Sequence, residues 1–134
     1  MNARTLTFLF LTVLMITAMG CGDKVSMRGK VTFSDDQSPL TVGQLSFVSD
    51  KVLARGYLQP DGTYVLGTEK QNDGLPKGTY RVSVDYALEA VSGSKGPMGI
   101  SSTTMRPLIA PMEPQTVIVD GKTKVYNIVV DRPK

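Results

Sequence analysis

Strict alternation of apolar and polar side chains is the feature that most limits what this chain can become. Tyr80, Val82, Val84, Tyr86 and Leu88 fall on one phase, with Arg81, Ser83 and Asp85 on the other. Successive side chains of an extended strand point to opposite faces, so this is the pattern of a strand with one face in a core. Met27, Gly29, Val31 and Phe33 alternate likewise with Arg28, Lys30 and Thr32, and Tyr126, Ile128 and Val130 with Val125, Asn127 and Val129. Gly29-Lys30-Val31-Thr32-Phe33 is echoed by Gly43-Gln44-Leu45-Ser46-Phe47, which places two strands in one inward phase. No convincing helical stripe interrupts these runs, and the expectation is an all-β chain.

Turn residues separate the runs. Asp35-Asp36-Gln37-Ser38-Pro39 links the first two strands, and Asn72-Asp73-Gly74-Leu75-Pro76-Lys77-Gly78 precedes the strongest one. Asp120-Gly121 precedes the last. Pro60-Asp61-Gly62 joins Arg55–Leu58 to Thr63–Leu66 and reads as a tight hairpin, with glycine at the positive φ such a turn needs. About seven short strands at this spacing argue for a β-sandwich over residues 25–134. The segment 89–114 breaks the pattern with Gly93, Gly96 and Gly99, four serines, and Pro97, Pro107, Pro111 and Pro114. Proline removes the amide a ladder needs and glycine weakens a strand, so this stretch reads as a long mobile loop outside the sheets. Met98, Met105 and Met112 recur every seven residues, but the intervening glycines and prolines forbid a helix.

Composition excludes several functions. Fifteen basic residues oppose twelve acidic ones, a net charge of +3, and the basic residues are scattered singly. Removal of residues 1–20 takes away Arg4 and leaves fourteen against twelve, or +2. Nucleic-acid binding needs a clustered basic face, so no nucleic-acid partner is expected. The chain has one cysteine and no histidine. That removes internal disulfides, multi-cysteine metal sites and the usual general base. No catalytic residue, cofactor or metal is expected, and the reading is non-enzymatic.

The one cysteine is placed where it matters. A short polar start with Arg4 is followed by an apolar run of about 14 residues, Leu6 to Met19, interrupted only by Thr7, Thr12 and Thr17. A helix needs ~20 apolar residues to span the hydrocarbon core, so the run fits a signal peptide better than a transmembrane anchor. It ends at Ala18-Met19-Gly20-Cys21. This stretch resembles the bacterial lipobox, although Ala18 and Met19 depart from the usual residues there. The resemblance implies cleavage before Cys21, with a diacylglyceryl group on its thiol and an acyl chain on the new amine. Residues 1–20 are then a signal-peptide helix that is removed, and 21–24 a lipidated cysteine with a short tether. Gly22 stands where the inner-membrane retention signal has Asp, which tilts the expectation towards the outer membrane.

The runs Arg28-Gly29-Lys30-Val31-Thr32, Pro39-Leu40, Gly43 to Phe47, Asp61-Gly62-Thr63-Tyr64 and Pro76-Lys77-Gly78-Thr79-Tyr80-Arg81-Val82 are similar to those of the carboxypeptidase regulatory-like domain. The similarity covers about residues 25–88, with a weaker tail at 116–130. It implies a transthyretin-like (prealbumin-like) sandwich of seven Greek-key strands, used as an accessory, binding or spacer module, with no catalytic residues to carry over.

Other candidates read as structure. Asp35, Asp36, Asp50, Asp61, Asn72 and Asp73 lack the dense spacing of a calcium loop and suit turns through their own backbone bonds. Asp35 and Asp36 are adjacent in a polar turn, which does not suit a glycosidase carboxylate pair. Tyr64, Tyr80, Tyr86 and Tyr126 fall on inward phases, while Tyr57 is not clearly placed. The functional expectation is a membrane-anchored envelope lipoprotein, palmitate-labelled at Cys21, that acts as a structural, spacer or binding module. The alternative is a secreted carbohydrate- or protein-binding domain using 89–114. In that segment Lys95, Met98, Met105 and Arg106 are the candidate contacts for an envelope protein or a glycan.

Overall fold

Alternation becomes pairing in the computed structural model, which describes residues 22–95, 98–99 and 101–134. The expected signal-peptide helix over 1–20 and the lipidated Cys21 lie outside the described residues. A four-stranded antiparallel sheet is formed by β3 (Gln44–Val48), β4 (Leu53–Tyr57), β7 (Gly78–Asp85) and β10 (Gln115–Val119), in the order β10-β7-β3-β4. A three-stranded sheet is formed by β2 (Arg28–Phe33), β5 (Thr63–Val65) and β11 (Ile128–Val130), in the order β11-β2-β5, with β11 parallel to β2. Together they are the seven strands of the expected sandwich. Leaving β4 for β5 in the other sheet, the chain returns as β7 on the opposite side of β3, an over-and-back connection of the Greek-key kind. Two short strands, β1 (Lys24–Val25) and β6 (Leu75–Pro76), pair with each other.

The inner faces are the phases that the alternation marks. Val31 and Phe33 of β2, Leu45 and Phe47 of β3, Tyr64 of β5, Tyr80, Val82 and Val84 of β7, and Ile128 and Val130 of β11 are all buried. Sheet register aligns them: Phe47 stands between Ala54 and Val82, and Val31 lies opposite Ile128. Phe47 is the hub, with ring centroids 6.5 Å from Tyr64, 6.4 Å from Tyr80 and 6.2 Å from Tyr126. The two buried phenols are satisfied by backbone: Tyr64 donates to the Tyr126 carbonyl and Tyr80 to that of Pro76. Burial pushes the titration of both hydroxyls upward.

Three expectations need correction. Tyr86 does not face the core: it is 73% exposed at φ 56°, a left-handed kink that ends β7 and hands the buried position to Ala87. Pro60-Asp61-Gly62 makes the tight turn but not a continuous hairpin ladder. The Gly62 amide donates to the Gln59 carbonyl in a four-residue turn at φ 80°, the Gln59 amide donates to the Thr63 carbonyl, and Arg55 and Gly67 exchange bonds further out, yet β4 and β5 belong to different sheets. The third concerns 89–114. Residues 88–95 and 101–107 form an antiparallel ribbon of β8 (Leu88–Lys95) and β9 (Ser101–Pro107), while 108–114 lack regular pairing. Pro107 is the last residue of β9, so no proline interrupts the ladder among the described residues. Gly93 is accommodated where the register shifts between Ser92 and Lys95.

Candidate functional site

Three regions carry the candidate chemistry: the start of β1, the β8–β9 ribbon and the acidic turns. β1 begins at Lys24, three positions after Cys21 in sequence, and is stitched down by side chains from elsewhere in the chain. Lys24 Nζ donates to Asp73 Oδ2 at 2.7 Å and to Glu69 Oε2 at 3.5 Å. The Lys24 bond, with amides of Thr68 and Lys70, holds the Asp73 carboxyl well below the usual carboxylate range. Asp73 raises Lys24 in return.

The ribbon does not gather its candidate residues into one site. Register puts Met105 opposite Ala90 and Arg106 opposite Glu89, so Met105 and Arg106 point to opposite faces. Arg106 forms an ion pair with Glu89 and is not a free cation. Met98 is 88% exposed in the connection and Met105 is 58% exposed on one face. Lys95 pairs through its backbone with Ser101. Met112, third in the seven-residue series, instead packs partly against the core. Among the described residues, neither ribbon strand makes an extensive contact with a strand of the sandwich. At its root the Leu108 amide donates to the Ala87 carbonyl at 2.8 Å. Replacing 88–107 by Asn-Gly therefore closes a two-residue hairpin on an existing bond. The shortened protein should still unfold cooperatively, with its thermal midpoint within about 5 °C of the full chain, because little core is lost. Loss of the cooperative transition would show that the ribbon supports the sandwich.

The acidic turns use their carboxylates on themselves. Asp36 accepts from the hydroxyl and amide of Ser38, Asp61 from those of Thr63, and Asp120 from the amides of Lys122 and Thr123. Arg132, lying 3.8 Å over the Phe33 ring, adds bonds to Asp35 and Asp36. The Ser38 bonds, with smaller help from Asp35 and Arg132, lower Asp36 from 3.8 to about 2. Thr63 lowers Asp61 in the same way, and the Thr123 and Lys122 amides lower Asp120. A carboxyl whose folded pKa is depressed contributes stability above its unfolded pKa and loses it as pH falls through the folded value. The urea midpoint should therefore decline as pH is lowered from 3.8 towards 2, and Asp36→Asn should make the decline shallower. An unchanged pH profile in the variant would show that the turn does not hold the carboxylate.

One feature escapes the sequence. Arg55, Tyr57, Gln59, Thr68, Lys70 and Asn72 line an open groove of about 520 Å³ where the edge of β4 meets the chain after β5. Its polar groups and the exposed Tyr57 ring suit hydroxyl- or amide-rich chains. Arg55 and Tyr57 share the outward phase of β4, and that alternation was the available signal. Among the described residues no three histidine, cysteine, aspartate or glutamate side chains are grouped as for a metal ion. No helix of the described residues is long and apolar enough to cross a membrane.

The fold and these regions define a seven-stranded Greek-key β-sandwich bearing a projecting ribbon. No family model matches the chain, and no curated protein matches it. Among solved structures, the chain is similar to the major pilin subunit of Bacillus cereus, at a TM-score of 0.50 and 10% identity, covering 83% of this chain. The chain corresponds to 30% of that pilin's length. At this identity the likeness speaks for the β-sandwich fold alone. A 9R-lipoxygenase from Cyanothece, with a TM-score of 0.37 and 16% identity over 82% of this chain and 16% of its own, carries no argument.

Proposed function

We propose that this chain is a bacterial envelope lipoprotein whose β-sandwich is a non-enzymatic structural, spacer or binding module held at a membrane by acylated Cys21. The observation that carries the reading is the apolar run that ends at the chain's one cysteine, with the fold starting three residues later. A cleaved signal followed at once by an ordered domain leaves no room for a mobile stalk. One acyl chain binds a bilayer only marginally, and two or more make the attachment lasting. The non-enzymatic part is supported by what the carboxylates do: Asp36, Asp61, Asp73 and Asp120 are engaged with turn amides and a lysine. Gly22 in place of Asp after the cysteine favours the outer membrane over the inner one in a host that has both. A carboxypeptidase regulatory-like ancestry fits the runs of residues quoted above and the seven-stranded topology. The projecting ribbon, with Met98 and Met105 exposed, favours a binding role over a pure spacer, with an envelope protein or a glycan as the partner.

Detergent phase partitioning tests the anchor. Wild-type chain made in a bacterial host should enter the detergent-rich phase, and recovery in the aqueous phase would remove the membrane role.

A further inference from the structure

The short tether and the strand directions together fix which end of the sandwich can meet lipid. From the Cα of Cys21 to that of Lys24 is three residue steps, at most about 11 Å of extended chain. Lys24 is held by Asp73 and Glu69, and Val25 is paired with Leu75, so β1 cannot peel away without losing these bonds. The same end collects the start of β7 at Gly78, paired with Val119, and the turn Asp120–Thr123 that follows β10. The Lys77 side chain lies across Gly121, where an added Cβ would be 2.8 Å from its Cε and 3.7 Å from Val25 Cγ2. Lys77 and Lys122 have no carboxylate partner among the described residues, whereas Asp120 is folded onto its own turn amides. The β8–β9 ribbon leaves from the other end. The eight residues of β7 run from the tether end to Asp85, roughly 24 Å away.

We propose that the tether-end surface formed by β1, Lys77 and the 120–123 turn rests on lipid headgroups, with Lys77 and Lys122 facing anionic ones, and that the β8–β9 ribbon is held on the membrane-distal side. The occupant is the bilayer that carries the anchor, because the tether is too short to place any other layer beneath this end. This orientation rests on acylation of Cys21. Scattered lysines thus become a contact surface by geometry: an anionic surface attracts each of them at close range, and the anchor supplies the proximity.

Full-length lipidated protein, reconstituted into vesicles of phosphatidylethanolamine and phosphatidylglycerol with a headgroup-linked spin label, tests this. A fluorophore is placed at Lys122→Cys or at Met98→Cys, and palmitate content is measured on the same samples. Quenching at position 122 should exceed that at 98 by about fivefold, given the ~11 Å tether and the length of β7. Equal quenching, or more at 98, in palmitate-bearing protein overturns the orientation while leaving the anchor intact. Absence of palmitate overturns the anchor and the orientation with it. Lys77→Glu with Lys122→Glu should reduce vesicle quenching of a dye at Thr123→Cys, and an unchanged signal would remove the lysines from the contact.

Discussion

Gly29→Val should destabilise the sandwich by about 3–5 kcal/mol, a large share of the 5–15 kcal/mol that holds a small domain folded. Gly29 sits in β2 directly opposite Tyr64 of β5. An added Cβ would stand 1.8 Å from the Tyr126 carbonyl oxygen and 2.9 Å from the Tyr64 hydroxyl. That carbonyl belongs to the segment leading into β11, tied to β2 by the Tyr126 amide donating to the Arg28 carbonyl. It also accepts the Tyr64 hydroxyl. A side chain at 29 therefore breaks a backbone approach and the bond of a buried phenol at once, and neither can relax by a rotamer change. Urea unfolding measures the loss. Gly22→Ala, with nothing near its added methyl, should leave the midpoint unchanged. A Gly29→Val protein as stable as wild type would mean that the chain at Tyr126 does not cross β2 as described.

Cys21→Ser should reduce incorporation of labelled palmitate to background. A serine hydroxyl is not the thiolate nucleophile that the lipid transfer reaction needs, and the chain has no second cysteine to replace it. The fold should be untouched, since the described core begins at Val25. The variant should therefore keep the urea midpoint of wild type while losing all label. Equal labelling of the two proteins, or none in either, would remove the lipobox reading.

Most of the sandwich was legible because burial on one face writes itself as alternation. β2, β3, β7 and β11 each keep their apolar phase inward, and the Asp–Gly turns fall where Gly62, Gly74 and Gly121 take positive φ. Tyr86 misled because the phase of β7 continues past the point where the backbone turns left-handed, and hydrophobic pattern alone does not report φ. The ribbon was missed for the opposite reason. Ala90, Val91, Thr103 and Thr104 face solvent on both sides, so no core imposes a period on β8 or β9. Long-range stitches such as Lys24–Asp73 and Arg132–Asp35 join residues 49 and 97 positions apart, and nothing local announces them. The groove beside Tyr57 needs the edge of one sheet brought against the other, which is a property of topology. Cys21 is the reverse case: the role proposed for it rests wholly on the sequence around it.

Intact-mass measurement of the chain recovered from membranes of the producing bacterium tests the central claim most directly. The mature protein should begin at Cys21, with the mass of residues 21–134 increased by a diacylglyceryl group and an acyl chain. A chain that still begins at Met1, or one that begins at Cys21 or Gly22 with no lipid mass, would contradict it.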